Sequence, residues 1–123
     1  MDDATTVLFR PVGPQELELL KASDWRRWPP RLPEQPIFYP VTNKEYATEI
    51  AEKWNVAESG SGYVTRFRVR TSFMSRFAIH TVGAAHHTEW WIPAADLEEL
   101  NDNIVGLIEV VASFESGLRE PAC

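Results

Sequence analysis

A chain of 123 residues with 44% hydrophobic content is long enough for one compact core and too short for two ordinary ones, so a single domain is expected. Eighteen acidic against twelve basic residues leave a net charge of -6, which repels phosphate backbones and excludes general nucleic-acid affinity. The sole cysteine, Cys123, is the last residue and leaves no intrachain disulfide. No apolar run reaches the roughly 18 residues that span a bilayer, and the acidic start MDDATT lacks the cationic region of a signal peptide. A soluble cytoplasmic protein without membrane contact is expected.

In chain order, TTVLFR (5–10) is rich in β-branched and aromatic residues and is stopped by PVGP, so it reads as a strand. Pro14 suits a first helical turn, and the following residues to Ser23 form a short helix with Leu17 and Leu20 inward. The segment 24–36, DWRRWPPRLPEQP, carries four prolines, which forbid regular helix or central strand. It is expected to be an ordered loop at the rim of a cleft, pinned by Trp25 and Trp28.

IFYP (37–40) reads as a short strand, and TNKE (42–45) has the Thr-x-x-Glu spacing of a capping box, opening a helix to about Trp54. Tyr46, Ala47, Ile50, Ala51 and Trp54 fall on one stripe at helical spacing, with Lys44, Glu45, Glu49 and Lys53 outside. SGSG (59–62) ends that segment. In YVTRFRVRT (63–71), Tyr63, Thr65, Phe67, Val69 and Thr71 alternate with Val64, Arg66, Arg68 and Arg70, the period of a strand with one basic face. FAIHTV (77–82) and TEWWI (88–92) read as strands flanking the GAAHH connection. Residues 94–103 read as a short helix and 104–114 as a last apolar strand, with a frayed tail over 115–123. The fold class is α+β.

Several chemistries can be weighed on these elements. His86, His87 and Glu89, with His80 nearby, are metal-ligand types, but neighbours on a strand point to opposite faces, so no metal site is expected. There is no Gly-x-Ser-x-Gly elbow, and SGSG lacks the strand-to-helix context of a phosphate-binding loop. The Arg66, Arg68, Arg70 face could grip phosphate groups, although a solvated strand face is the commoner explanation of such a stripe. In TEWWI, Glu89 and Trp91 share one face while Trp90 and Ile92 share the other. A carboxylate beside a large aromatic is suited to polarising a hydroxyl or stabilising a cationic transition state, and equally to sitting solvated at a strand edge.

LFRPVG (8–13), IFYPVTNKEYATEIA (37–51), YVTRFRV (63–69) and TEWWIP (88–93) in that order resemble the motifs of the ADP-ribosyltransferase superfamily. The sequence is also similar to a group of small bacterial proteins labelled ADP-ribosylation/crystallin J1. That label suggests an ADP-ribosyl hydrolase, but the clustered metal-binding aspartates of those hydrolases have no counterpart here. The transferase resemblance implies a split, strongly bent β-sheet with a few short helices, and NAD as the substrate that donates ADP-ribose to an unknown acceptor. It implies that Arg10 contacts the ribose and phosphate side of NAD, that Tyr39 and Tyr46 form a stacking wall for nicotinamide with Trp91 beside them, and that Glu89 is catalytic, with Arg10, as the dinucleotide is cleaved. The motifs depart from the family at Pro11, where the polymerase branch has Gly, and at His87, where protein-modifying members often have Gln or Glu. A non-catalytic binding or immunity-type module on the same fold is the alternative. The transferase reading places the strand 5–10 beside the strand 88–92, with Arg10 and Glu89 in one cleft and helix 43–54 packed across one face.

Overall fold

A computed structural model describes residues 4–115 as a mixed α+β arrangement of antiparallel strands and short helices. Cys123 and most of the tail expected to fray lie outside the described residues, while Glu115 closes the last strand opposite Ser61. No helix among the described residues is long and apolar enough to cross a membrane.

The central sheet consists of β1 (Thr5–Val12), β3 (Ser61–Arg70) and β7 (Ile104–Glu115), with β3 in the middle and both pairings antiparallel. The alternation read in residues 63–70 follows from this position. Phe67 and Val69 are buried on one side, whereas Arg68 and Arg70 are exposed. Arg66 pairs with Glu109 across the strands at 2.7 Å, so one third of the basic stripe is already neutralised. Thr71 leaves the strand and opens a turn of helix, α4 (Thr71–Met74), whose Phe73 and Met74 join the core.

Helix α1 (Pro14–Ala22) starts at its proline and buries Leu17 and Leu20. The loop that follows is ordered by contacts at both ends. Asn101, in the helix α5 (Leu97–Asp102), accepts from the Trp28 amide at 2.8 Å and donates to the Trp28 carbonyl at 3.0 Å, while the Trp25 carbonyl accepts from Ile108 at 2.8 Å. Trp28 is buried between Phe38 and Phe67, and Trp25 is half-buried with a left-handed backbone φ of 64°. The short strand β2 (Ile37–Phe38) pairs with β6 (Ile92–Pro93).

Helix α2 (Lys44–Ile50) is capped by Asn43, one residue later than the capping-box reading of Thr42. The Asn43 side chain accepts from the Tyr46 amide at 2.7 Å, and Thr42 turns its hydroxyl to that of Thr88 instead. The helix does not stop at Trp54. It passes through a π-helical turn (Ala51–Asn55) into α3 (Val56–Ser59) and ends at Gly60, whose φ of 85° is the left-handed conformation that favours glycine. The wider π turn breaks the 3.6-residue period, so Trp54, expected on the buried stripe, is 63% exposed. Ala47 and Ala51 remain on the buried side with Val41 and Val64, and Phe9, Tyr46 and Ile50 pack around them.

The π turn is held close to β3. A Cβ on Gly62 would lie 2.5 Å from the Ala51 carbonyl oxygen and 2.8 Å from Asn55 Cβ, nearer than side-chain atoms approach. Gly62→Ala is therefore expected to destabilise the protein by about 1–3 kcal/mol, the usual cost of overpacking, measured by urea unfolding. A neutral substitution would mean that the turn is free to move off the strand.

The remaining strands are a hairpin of β4 (Ile79–Thr81) and β5 (Thr88–Trp90). It joins the central sheet through the segment 40–42, with the Thr42 amide donating to the Thr88 carbonyl at 3.1 Å and the Trp90 amide to the Pro40 carbonyl at 2.9 Å. Val41 bridges Phe9 of β1 on one side and Glu89 of β5 on the other, with Phe9 and Val41 exchanging backbone hydrogen bonds of 3.0 and 2.7 Å. The strand of Arg10 and the strand of Glu89 are therefore not neighbours, as expected from sequence, but lie one position apart.

Candidate functional site

That bridge decides which side chains share a face. Directly opposed residues in an antiparallel pairing point the same way, so Phe9, Val41 and Glu89 face helix α2, and the residues adjacent to Phe9 face away from it. Arg10 points with Leu8 and Val12 to the opposite side of the sheet, where its guanidinium lies 4.6 Å from the Phe38 ring centroid and 5.6 Å from that of Trp28. There it makes a two-pronged ion pair with Glu16, Nε donating at 2.8 Å and a terminal nitrogen at 3.1 Å, and it donates to the Tyr39 carbonyl at 3.4 Å. The Tyr39 side chain is half in solvent. Among the described residues, neither Arg10 nor Tyr39 makes a hydrogen bond or ring contact with Glu89, Tyr46 or Trp91.

Those last three residues do come together. Glu89 is only 9% exposed. Its Oε1 accepts from the Tyr46 hydroxyl at 3.2 Å and its Oε2 from the Trp91 indole N–H at 2.7 Å. Each partner has a structural reason to be there. The Asn43 cap starts α2 so that Tyr46 stands in its first turn, and strand alternation sends Trp90 and Ile92 into the core, leaving Trp91 on the side of Glu89. Burial, followed by the Glu89 charge, pushes the Tyr46 hydroxyl up to about 12, so it stays protonated and remains a donor. Trp91, 43% exposed, stacks on His80 with ring centroids 3.7 Å apart and planes 6° from parallel. Tyr46 stacks on His87 at 4.6 Å. The result is a nearly buried carboxylate under a partly exposed aromatic surface.

Beside it lies a cluster that sequence reasoning placed apart. The helical period puts Glu49 on the solvent side of its helix, and strand alternation separates His86 from His87 only if their place in the GAAHH connection is overlooked. The two histidines occupy the turn between β4 and β5, as the GAAHH connection implies, where strand alternation does not apply, and both rings reach Glu49. His86 Nε2 lies 2.5 Å from one carboxylate oxygen and His87 Nε2 lies 2.9 Å from the other, with Glu45 3.8 Å from His86. Two imidazoles and a carboxylate are a metal-binding set in composition, and the ligand atoms lie within 4.8 Å of one another. The hydrogen bonding assigns them another role. His87 Nδ1 accepts from the Ala84 amide at 3.1 Å, which puts the ring proton on Nε2 and makes His87 a donor to Glu49. A metal-bound imidazole has the reverse pattern, donating from its other nitrogen. Gly83 completes the arrangement, since a Cβ there would sit 2.5 Å from His87 Nδ1. The helical interval from Tyr46 to Glu49 is the signal that would have put both on the site side.

The Glu49–His86 pair has a defined pH signature. Hydrogen bonds from His86 and His87 lower Glu49 below its ordinary 4.5, and the hydrogen bond to Glu49 raises His86 above its ordinary 6.5. The Glu49 contribution is present above 4.5 and is lost as pH falls through its depressed folded value; the His86 contribution is present below 6.5 and is lost as pH rises through its elevated folded value. The difference in thermal midpoint between the parent and Glu49→Gln is therefore expected to be widest between pH 4.5 and 6.5 and to narrow on both flanks. A difference that is flat across that range would contradict the pairing.

Compared with protein-family models, curated proteins and solved structures, the chain matches none.

Proposed function

We propose that the Glu89 patch is an NAD-cleaving site of the ADP-ribosyltransferase kind, transferring ADP-ribose to an acceptor that its chemistry leaves open. The observation that carries this reading is the Glu89 carboxylate, 9% exposed and fixed at both oxygens by Tyr46 and Trp91. Each carboxylate oxygen accepts one hydrogen bond there and retains a lone pair, so Glu89 can accept from a ribose hydroxyl without giving up either donor. Trp91 and His80 offer a flat face to the cationic nicotinamide ring. As the bond from ribose to nicotinamide breaks, its electron pair leaves with the nicotinamide nitrogen and positive charge develops on the ribose. A fixed, partly desolvated carboxylate stabilises that charge better than one free in water.

In this scheme Arg10 is not in contact with the reacting atoms. It braces the other side of the sheet, tying α1 to the Tyr39 carbonyl through its pair with Glu16. A cytoplasmic setting, where NAD is available, accords with the reading. The placement of Arg10 also favours a second reading, a non-catalytic binding module, because the cation expected to serve NAD already has a carboxylate partner on the far face.

Calorimetric titration with NAD separates the two. The transferase reading expects saturable heat that Trp91→Ala and Tyr46→Ala diminish by about tenfold or more, the effect of losing roughly 1.4 kcal/mol of stacking and hydrogen bonding. An absence of saturable heat in the parent selects the non-catalytic module.

A further inference from the structure

We propose that a cavity on the other side of the sheet, between α1 and the proline-rich loop, binds a small organic anion whose phosphate or carboxylate head is held by Arg31. The cavity has a volume of about 540 Å³, within the range of small-molecule sites. Its walls combine apolar surface from Leu19, Leu32, Pro29 and Pro30 with the amides of Gln15 and Gln35.

The charges around it do not balance residue by residue. Arg10 is taken by Glu16 through two hydrogen bonds, and Glu18 pairs with Lys21 at 3.2 Å. Arg31, by contrast, has no hydrogen-bond or ion-pair partner for its guanidinium among the described residues, and its Nε is buried without a partner. The guanidinium lies 5.8 Å from the Phe38 ring, a contact that leaves its donors unused. Burial, and after it repulsion from Arg10, lower the Arg31 pKa. A desolvated cation with unused donors is costly unless paired, and the guanidinium fork matches a carboxylate or phosphate edge.

The loop is built to hold that fork in place. Pro29 and Pro30 precede Arg31 and Pro33 follows Leu32, which limits the backbone freedom lost on binding. The turn beyond it is closed by the Gln35 amide donating to the Leu32 carbonyl at 2.8 Å, and by the Leu32 amide donating to Gln35 Oε1 at 3.3 Å. One unpaired cation and apolar walls specify a ligand with one oxyanion head and an apolar or planar body. The site is independent of the NAD reading and lies on the opposite face from Glu89.

The test uses the full chain with phenyl phosphate, benzoate and inorganic phosphate, read by calorimetry and thermal denaturation. Phenyl phosphate or benzoate is expected to bind saturably and raise the midpoint, and to do so more strongly than inorganic phosphate, which has no body for the apolar walls. Whichever of the two binds more tightly identifies the head group. Arg31→Gln should weaken that binding by about tenfold or more, the scale of one charge-assisted hydrogen bond. Without ligand it should be at least as stable as the parent, since it removes a half-buried cation whose Nε has no partner. Arg31→Lys, which keeps the charge without the fork, should fall between, and Glu89→Gln should bind the probe as the parent does. Unchanged binding in Arg31→Gln, no midpoint shift with any probe, or an unfolded Arg31→Gln would each overturn the proposal.

Discussion

Glu89→Gln is expected to fold and bind NAD as the parent does while releasing nicotinamide about 100-fold or more slowly, the scale of losing one preorganised electrostatic contact. The substitution suits the site because both neighbours tolerate it. Trp91 only donates, so it orients the new amide with its oxygen toward the indole, 2.7 Å away in the parent. The amide nitrogen then faces the Tyr46 hydroxyl, which can accept as well as donate. Packing and hydrogen-bond count are kept, and the negative charge is lost. Glu89→Ala should release nicotinamide no faster, and it also strands two donors, so its stability should fall where that of the amide variant does not. Free nicotinamide separated by chromatography gives the rate. A rate unchanged in Glu89→Gln would remove Glu89 from the chemistry.

Trp28→Ala is expected to cost about 3–5 kcal/mol, the range for removing a buried large aromatic. Trp28 is 1% exposed, lies between Phe38 and Phe67 with centroids 5.4 and 5.0 Å away, and carries the Arg10 guanidinium on its ring. Its backbone bonds to Asn101 survive the substitution, so the loss is one of packing. The indole nitrogen is buried without a partner, which offsets part of that loss because an unsatisfied donor disappears with the ring. Trp54→Ala is the control. At 63% exposure it should change stability by no more than about 0.5 kcal/mol. Equal effects in urea unfolding would show that the loop is not anchored through Trp28.

The contrast between these tryptophans shows which parts of the fold can be read along the chain. Where a residue's environment is set by its own element, local periodicity suffices. The inward leucines of α1 and the alternation of β3 follow from spacing, and the first and last strands from their β-branched and apolar composition, although β1 runs through Pro11 and Val12, past the stop expected after Arg10. Trp54 does not, because the π turn depends on how closely Gly62 lets β3 approach, and that is a contact between segments. The cap moved from Thr42 to Asn43 for a similar reason: Thr42 is engaged by Thr88 across the sheet.

The candidate site divides in the same way. Glu89 and Trp91 share a face by strand alternation, and Tyr46 lies on the inner side of its helix by helical period, so the three were legible as a group. Arg10 belongs elsewhere because its face relative to Glu89 is counted through Val41, a single bridging residue with no signature of its own. Glu49 and the two histidines meet because GAAHH is a turn, and a turn lets consecutive side chains converge where a strand would part them.

The Trp91 indole N–H is the most direct reporter of the central claim, since it is bonded to the carboxylate said to act on NAD. Its nitrogen–proton resonance, assigned by its disappearance in Trp91→Phe, can be followed as NAD is added to the folded chain. The account predicts that it shifts saturably while the indole of the exposed Trp54 does not. A Trp91 resonance that stays in place at NAD concentrations that saturate the calorimetric signal would contradict it.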